Sequence, residues 1–185
     1  MNLTLEQEGA GMFFRTNQES LARANELGIA LVDPNQSSGW SRSGSAIRID
    51  IEDCQRAPIA LARTFVSWLG AFGDCLLWVR EFGIWPSRED LNLYYRLRVS
   101  HGDPRQLSEA PGHFFSSHER SDLETYLSLA IQFGWGAHVI AAPTWTSLFL
   151  SHDGWLLAVS EQYRLRIVSN LRELSIPHEL IEDSQ

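Results

Sequence analysis

Cys75-Leu76-Leu77-Trp78-Val79 is the stretch whose reading decides the fold. Five consecutive apolar residues, fenced by Gly73-Asp74 before and Arg80-Glu81 after, are too few for a helix and include the β-branched and aromatic members that favour a strand. An unbroken apolar run, unlike an alternating one, implies burial on both faces. Such a strand needs cover on two sides. Helix-periodic segments precede and follow it, so the chain is expected to form a layered α/β domain spanning residues 1–185, with residues 1–11 and 179–185 loosely ordered.

Working upstream, Pro58 suits the first turn of a helix in which Ala62, Phe65, Val66 and Leu69 recur at helical spacing as far as Gly70 or Gly73. Before it, Ile47, Ile49 and Ile51 alternate with Arg48 and Asp50, the mark of a half-buried strand. Residues 35–45 read as a long loop and residues 29–32 as a short strand. Thr16-Asn17-Gln18-Glu19 matches a capping box, opening a helix with Leu21, Ala24 and Leu27 inward and Gly28 as its stop.

Downstream, Phe82-Gly83-Ile84-Trp85-Pro86 is an apolar corner, and Ser87-Arg88-Glu89-Asp90 caps a helix carrying Leu91, Tyr94, Tyr95 and Leu97. His113-Phe114-Phe115 is a short strand. Ser121-Asp122-Leu123-Glu124 forms a further capping box, before a helical stripe of Leu123, Tyr126, Leu127, Ala130 and Ile131 that Gly134 closes. Residues 137–142 form a strand ended by Pro143. Residues 148–152 and 155–159 flank Asp153-Gly154 as a hairpin, because this dipeptide adopts positive φ readily. Ser160 caps a last helix with Tyr163, Ile167, Leu171 and Leu174 inward, ending by Pro177. Strands separated by crossover helices predict parallel βαβ units in a mixed sheet, with the C-terminal hairpin adding antiparallel strands.

Composition removes several chemistries. All fifteen Lys+Arg residues are Arg, so Schiff-base lysines, pyridoxal phosphate attachment and the Walker A lysine drop out together. A net charge of -8 and a pI near 5.2 repel phosphate backbones and anionic lipid, so neither nucleic acid nor membrane is an expected partner. No apolar run approaches the roughly 20 residues of a membrane span, and Met1-Asn2-Leu3-Thr4 carries no signal-peptide pattern, so a cytoplasmic location is expected. Cys54 and Cys75 belong to no C-x-x-C pair, and no disulfide is expected. Nor is any cofactor or bound metal.

Ser117-His118-Glu119 and Ser151-His152-Asp153 are two Ser-His-acid triplets. Brought together, His118, Glu119, His152 and Asp153 could ligate a divalent metal or do acid–base work, since imidazole titrates near neutrality and carboxylates fix its tautomer. Set apart, they are ordinary turn and cap residues. Gly39-Trp40-Ser41-Arg42-Ser43 departs from a nucleophile elbow at its last position and lacks the strand before it. Gly134-Trp135-Gly136 follows a helix and reads as a C-cap. Glu81 and Trp85 fall at the carboxyl end of the central strand, where open α/β sheets place ligands. Arg96, Arg98 and Arg105 are candidates for a small anion-binding patch.

Trp85-Pro86-Ser87, Leu93-Tyr94-Tyr95, Ala110-Pro111-Gly112-His113, Gly134-Trp135 and Ser151-His152-Asp153 together resemble a group of small uncharacterised bacterial proteins, some of them similar to immunity proteins that neutralise toxins by binding them. The resemblance spans residues 76–159 and implies a non-catalytic protein-binding domain. An acidic chain suits that role, because toxins that act on nucleic acid are basic and opposite charge speeds docking. Two other readings stand beside it: a small hydrolase or metal-dependent enzyme using the two triplets, and a structural subunit that forms a homodimer.

Overall fold

The computed structural model describes residues 13–27, 46–51, 57–82, 93–144, 146–160 and 162–181. Its strands are β1 (Phe13–Arg15), β2 (Ala46–Asp50), β3 (Asp74–Glu81), β4 (Gly112–Ser116), β5 (Gly136–Ala142), β6 (Thr146–Leu150), β7 (Trp155–Val159) and β8 (His178–Ile181). Its helices are α1 (Asn17–Glu26), α2 (Pro58–Trp68), α3 (Leu93–Ser100), α4 (Arg120–Phe133) and α5 (Arg164–Glu173). The strands join in one sheet of order β1-β4-β3-β5-β6-β7-β2-β8.

The five-residue apolar run forms the body of β3, with Cys75 through Val79 all buried. Its two faces meet different cover. Cys75, Leu77 and Val79 join the main core with Leu61, Phe65 and Val66 of α2, Leu123, Tyr126 and Leu127 of α4, and Ile167 and Leu171 of α5. Leu76 and Trp78 point the other way and pack with Ile140 against Ala24 of α1 and Leu27 just past its end. Trp78 donates its indole N–H to Asn17 Oδ1 at 2.9 Å, so the ring is buried with its polar atom paired.

Every neighbouring pair of strands is antiparallel, so the expected parallel βαβ units are corrected. The crossover exists in part: β2 and β3 run the same way with α2 between them. They are not neighbours, because β5, β6 and β7 fill the space between. A periodicity reports burial and leaves strand order open. The α/β class itself fits.

Local details follow the sequence with a few displacements. Thr16 and Glu19 form the anticipated capping box, with the Thr16 N–H donating to Glu19 Oε2 at 2.8 Å. The second box is not at Ser121 and Glu124. Ser116 and Glu119 make it five residues earlier, on a 3₁₀ turn (Ser117–Glu119) that leads into α4. Gly134 closes α4 in the left-handed conformation, φ 65°. Leu174 is exposed, and Ile176 takes its place in the core. The C-terminal segment is not a frayed tail throughout, since residues 178–181 pair with β2 as an edge strand. At the other edge, β1 is a strand the sequence pattern does not announce. The readings for residues 1–11, 29–32, 35–45 and 87–90 lie outside the described residues. No helix among the described residues is long and apolar enough to cross a membrane.

Candidate functional site

Glu81, Leu150, Trp155, Asp50 and His178 all stand at the same end of the sheet, because β3, β6 and β2 finish there while β7 and β8 begin there. The β6–β7 hairpin turns at this end. Gly154 donates its N–H to the Ser151 carbonyl at 3.4 Å and has φ 81°, whereas Asp153 stays at negative φ. The central residues of the turn, His152 and Asp153, are therefore both at negative φ and only its last residue, Gly154, is left-handed, as in a turn closed by a glycine bulge rather than a two-residue turn. This geometry lifts His152 and Asp153 to the tip.

His152 is held between two carboxylates: Nδ1 is 2.7 Å from Glu81 Oε2, and Nε2 is 3.2 Å from Asp153 Oδ1. Both ring nitrogens are thus turned on carboxylate oxygens. Glu81 reaches the imidazole by lying across Gly136, where a Cβ would meet Glu81 Oε2 at 2.7 Å. The register shift between Val79 and Glu81 re-aims the glutamate toward the tip. Glu81 and His152, read separately from the sequence, thus belong to one cluster. It is solvent-exposed, with side-chain exposures of 39% for Glu81 and 51% for His152.

Asp153 also starts an open groove of about 460 Å³, lined by Arg48, Asp50, Asp153, Trp155, His178 and Glu179 among others. Backbone bonds fix its walls: Ile51 donates to the Gly154 carbonyl at 2.9 Å, and Asp50 to the Pro177 carbonyl at 3.1 Å. The Arg48 guanidinium lies 5.1 Å from the centre of the Trp155 ring. The lining therefore combines three carboxylates with one guanidinium that is already stacked on an aromatic face. Such a surface suits a cationic partner group, which gains charge attraction from the carboxylates. The sequence marked Arg48 and Asp50 as a solvent face and Trp155 as a hairpin residue. What was missing was β8, which closes the groove's far wall.

The other candidates separate. His118 and Glu119 follow β4 at the opposite end of the sheet, where Ser116 pairs with Asp74, seven residues of strand or about 23 Å from Glu81. The four triplet side chains do not form one site. Glu119 is engaged in its capping box, accepting from Ser116 N and Oγ at 2.8 and 2.9 Å. Among the described residues, no three His, Cys, Asp or Glu side chains are grouped so as to hold a metal ion.

Nor do the three arginines share a surface. Arg96 is exposed on α3, while Arg98 is fully buried with its guanidinium 5.0 Å from the Phe14 ring centre. Arg105 is committed to the Asp103 carboxylate, at 3.0 Å from Nε to each oxygen, and to the Phe14 carbonyl at 3.1 Å. Burial pushes the Asp103 carboxyl up, but these Arg105 hydrogen bonds outweigh it and hold the group below its ordinary range. Trp85 and the segment at residues 39–43 lie outside the described residues.

Arg98 borders a second cluster that the sequence did not signal. His113 of β4 is fully buried, with Nε2 2.8 Å from the Tyr94 hydroxyl and Nδ1 3.3 Å from the Leu77 carbonyl. Phe14 and Tyr126 pack on its ring at centroid distances of 5.1 and 5.0 Å. Burial, with the Arg98 charge nearby, lowers its pKa to about 3. A neutral imidazole sealed by aromatic rings acts here as a core hydrogen-bond bridge, joining α3, β3 and β4.

Fold and groove together define an α/β protein built on one antiparallel sheet with an open acidic concavity at one end. No family model matches the chain, and no curated protein or solved structure matches it.

Proposed function

We propose that this chain is a non-catalytic protein-binding domain of the bacterial cytoplasm, of the toxin-neutralising immunity type, whose partner is basic. The observation that carries the reading is the groove between the hairpin tip and β8, where Asp50, Asp153 and Glu179 line one open surface. The net charge of -8 adds a long-range field of the same sign. The enzyme reading draws no support from the placement of its four residues at opposite ends of β3.

The test is affinity capture from extracts of the source cells, comparing the native chain with the triple variant Asp50→Asn, Asp153→Asn, Glu179→Gln. A partner of pI above about 9 that binds the native chain in purified form and loses at least tenfold in affinity to the variant supports the proposal. Equal binding by both proteins would move the interface away from this groove, and turnover of a small-molecule substrate would replace the reading with an enzymatic one.

A further inference from the structure

The groove ends on a strand edge, and the register shows which backbone groups that edge presents. Asp50 donates to the Pro177 carbonyl, so Asp50 and Pro177 occupy a hydrogen-bonding position of the antiparallel ladder. Such positions alternate along the pair. Glu179 opposite Arg48 and Ile181 opposite Ala46 therefore turn their N–H and C=O groups toward β2. His178 and Leu180 turn theirs the other way. Among the described residues β8 pairs with β2 alone, and Glu179, Leu180 and Ile181 are exposed.

Natural sheets protect an edge of this kind with charge, proline or a covering element. Here Pro177 guards only the entry to the strand. The two residues after Glu179 are apolar, with Leu180 44% and Ile181 40% exposed. We propose that β8 receives an extended segment of the basic partner as a ninth strand, hydrogen-bonded to the outward N–H and C=O of Leu180 and placing a basic side chain beside Glu179 at the mouth of the groove. Strand addition of this sort draws affinity from the main chain and specificity from side-chain pockets next to the edge. A second copy of this chain is the less fitting occupant, since it would bring a like charge of -8 and another Glu179 to the same edge.

This inference rests on the groove reading, and the experiment separates the two. The probe is an eight-residue alternating Arg–Val peptide, with a Ser–Val peptide as neutral control, added to the full chain. Affinity is followed by fluorescence anisotropy and amide exchange by NMR. The expected result is at least tenfold tighter binding of the Arg–Val peptide, at least tenfold slower exchange of the Leu180 amide at saturation, and at least tenfold weaker binding by Leu180→Pro. That proline removes an outward N–H and leaves the β2 ladder bonds in place. If the variant fails to fold, Leu180 exchange in the native chain decides alone. Peptide binding with unchanged Leu180 exchange overturns strand addition and leaves the groove reading standing. Absence of preferential Arg–Val binding overturns both. Concentration-dependent dimerisation that protects Leu180 without peptide makes a second copy the occupant and overturns the proposal.

Discussion

His113 and His138 are placed where a proton costs the fold. His138 lies on the other side of the sheet from His113, between Phe149 and Trp78 at centroid distances of 4.9 and 6.1 Å. Burial lowers both to about 3 from an ordinary 6.5, with the Arg98 charge adding to the effect at His113 and Arg80 at His138. The unfolded chain takes up protons at these positions as pH falls through 6.5, whereas the folded chain does not until about 3. Their contribution is thus fully present above pH 6.5 and is lost progressively as pH falls toward 3. Each histidine steepens the stability curve by up to about 1.4 kcal/mol per pH unit within that window. Urea titrations at pH 7, 6, 5 and 4 should show the decline, and His138→Phe should flatten it by about one proton's worth. A slope identical to that of the native chain would mean that His138 is already charged in the fold. Neither site was legible in the sequence, because a lone histidine carries no sign of which rings will close around it.

At the scale of the element, what was readable is what local chemistry determines. The unbroken run 75–79 and the Ile47, Ile49, Ile51 alternation specify which faces are buried, and both strands appear with those faces inward. Truncating Leu77 to Ala, at the middle of β3 and fully buried, should cost about 2 to 5 kcal/mol in denaturant melts. A loss under about 0.5 kcal/mol would contradict its central position. Asp153-Gly154 likewise specified a hairpin, and the structure narrows the requirement to Gly154 with its φ of 81°. Gly154→Val should therefore destabilise by about 1 kcal/mol or more, whereas Asp153→Ala, at negative φ, should be tolerated better. Equal melting midpoints for the two variants would refute this division. The elements that escaped reading are those made by pairing. Three residues of β1 are too few for a period, and β8 begins His178-Glu179, a polar pair that is a strand through its register with β2. The Ser121 reading fails for a related reason: two Ser-x-x-acid patterns stand one after the other there, and the 3₁₀ turn at residues 117–119 selects the earlier one.

Across the whole molecule, charge and topology act together at one end of the sheet. Strand order could not be read from periodicity, and it is strand order that sets β2, β7 and β8 side by side and so assembles Asp50, Asp153, Trp155 and Glu179 from distant parts of the chain. The carboxylates are exposed and the Debye length is about 10 Å at 0.1 M salt, so their field acts mainly on approach and is screened as ionic strength rises. Contacts made after docking, such as pairing along β8, are short-ranged and far less sensitive to salt. Stopped-flow measurements with the basic partner, or with the Arg–Val peptide in its place, should therefore show association slowing by about tenfold or more between 0.05 and 0.5 M NaCl, with dissociation changing by less than about threefold. The variant Asp50→Asn, Asp153→Asn, Glu179→Gln should associate more slowly at low salt and show a shallower dependence. If salt instead changed dissociation most, the carboxylates would act as close-range contacts within the complex, and the groove's role in steering the partner would be lost.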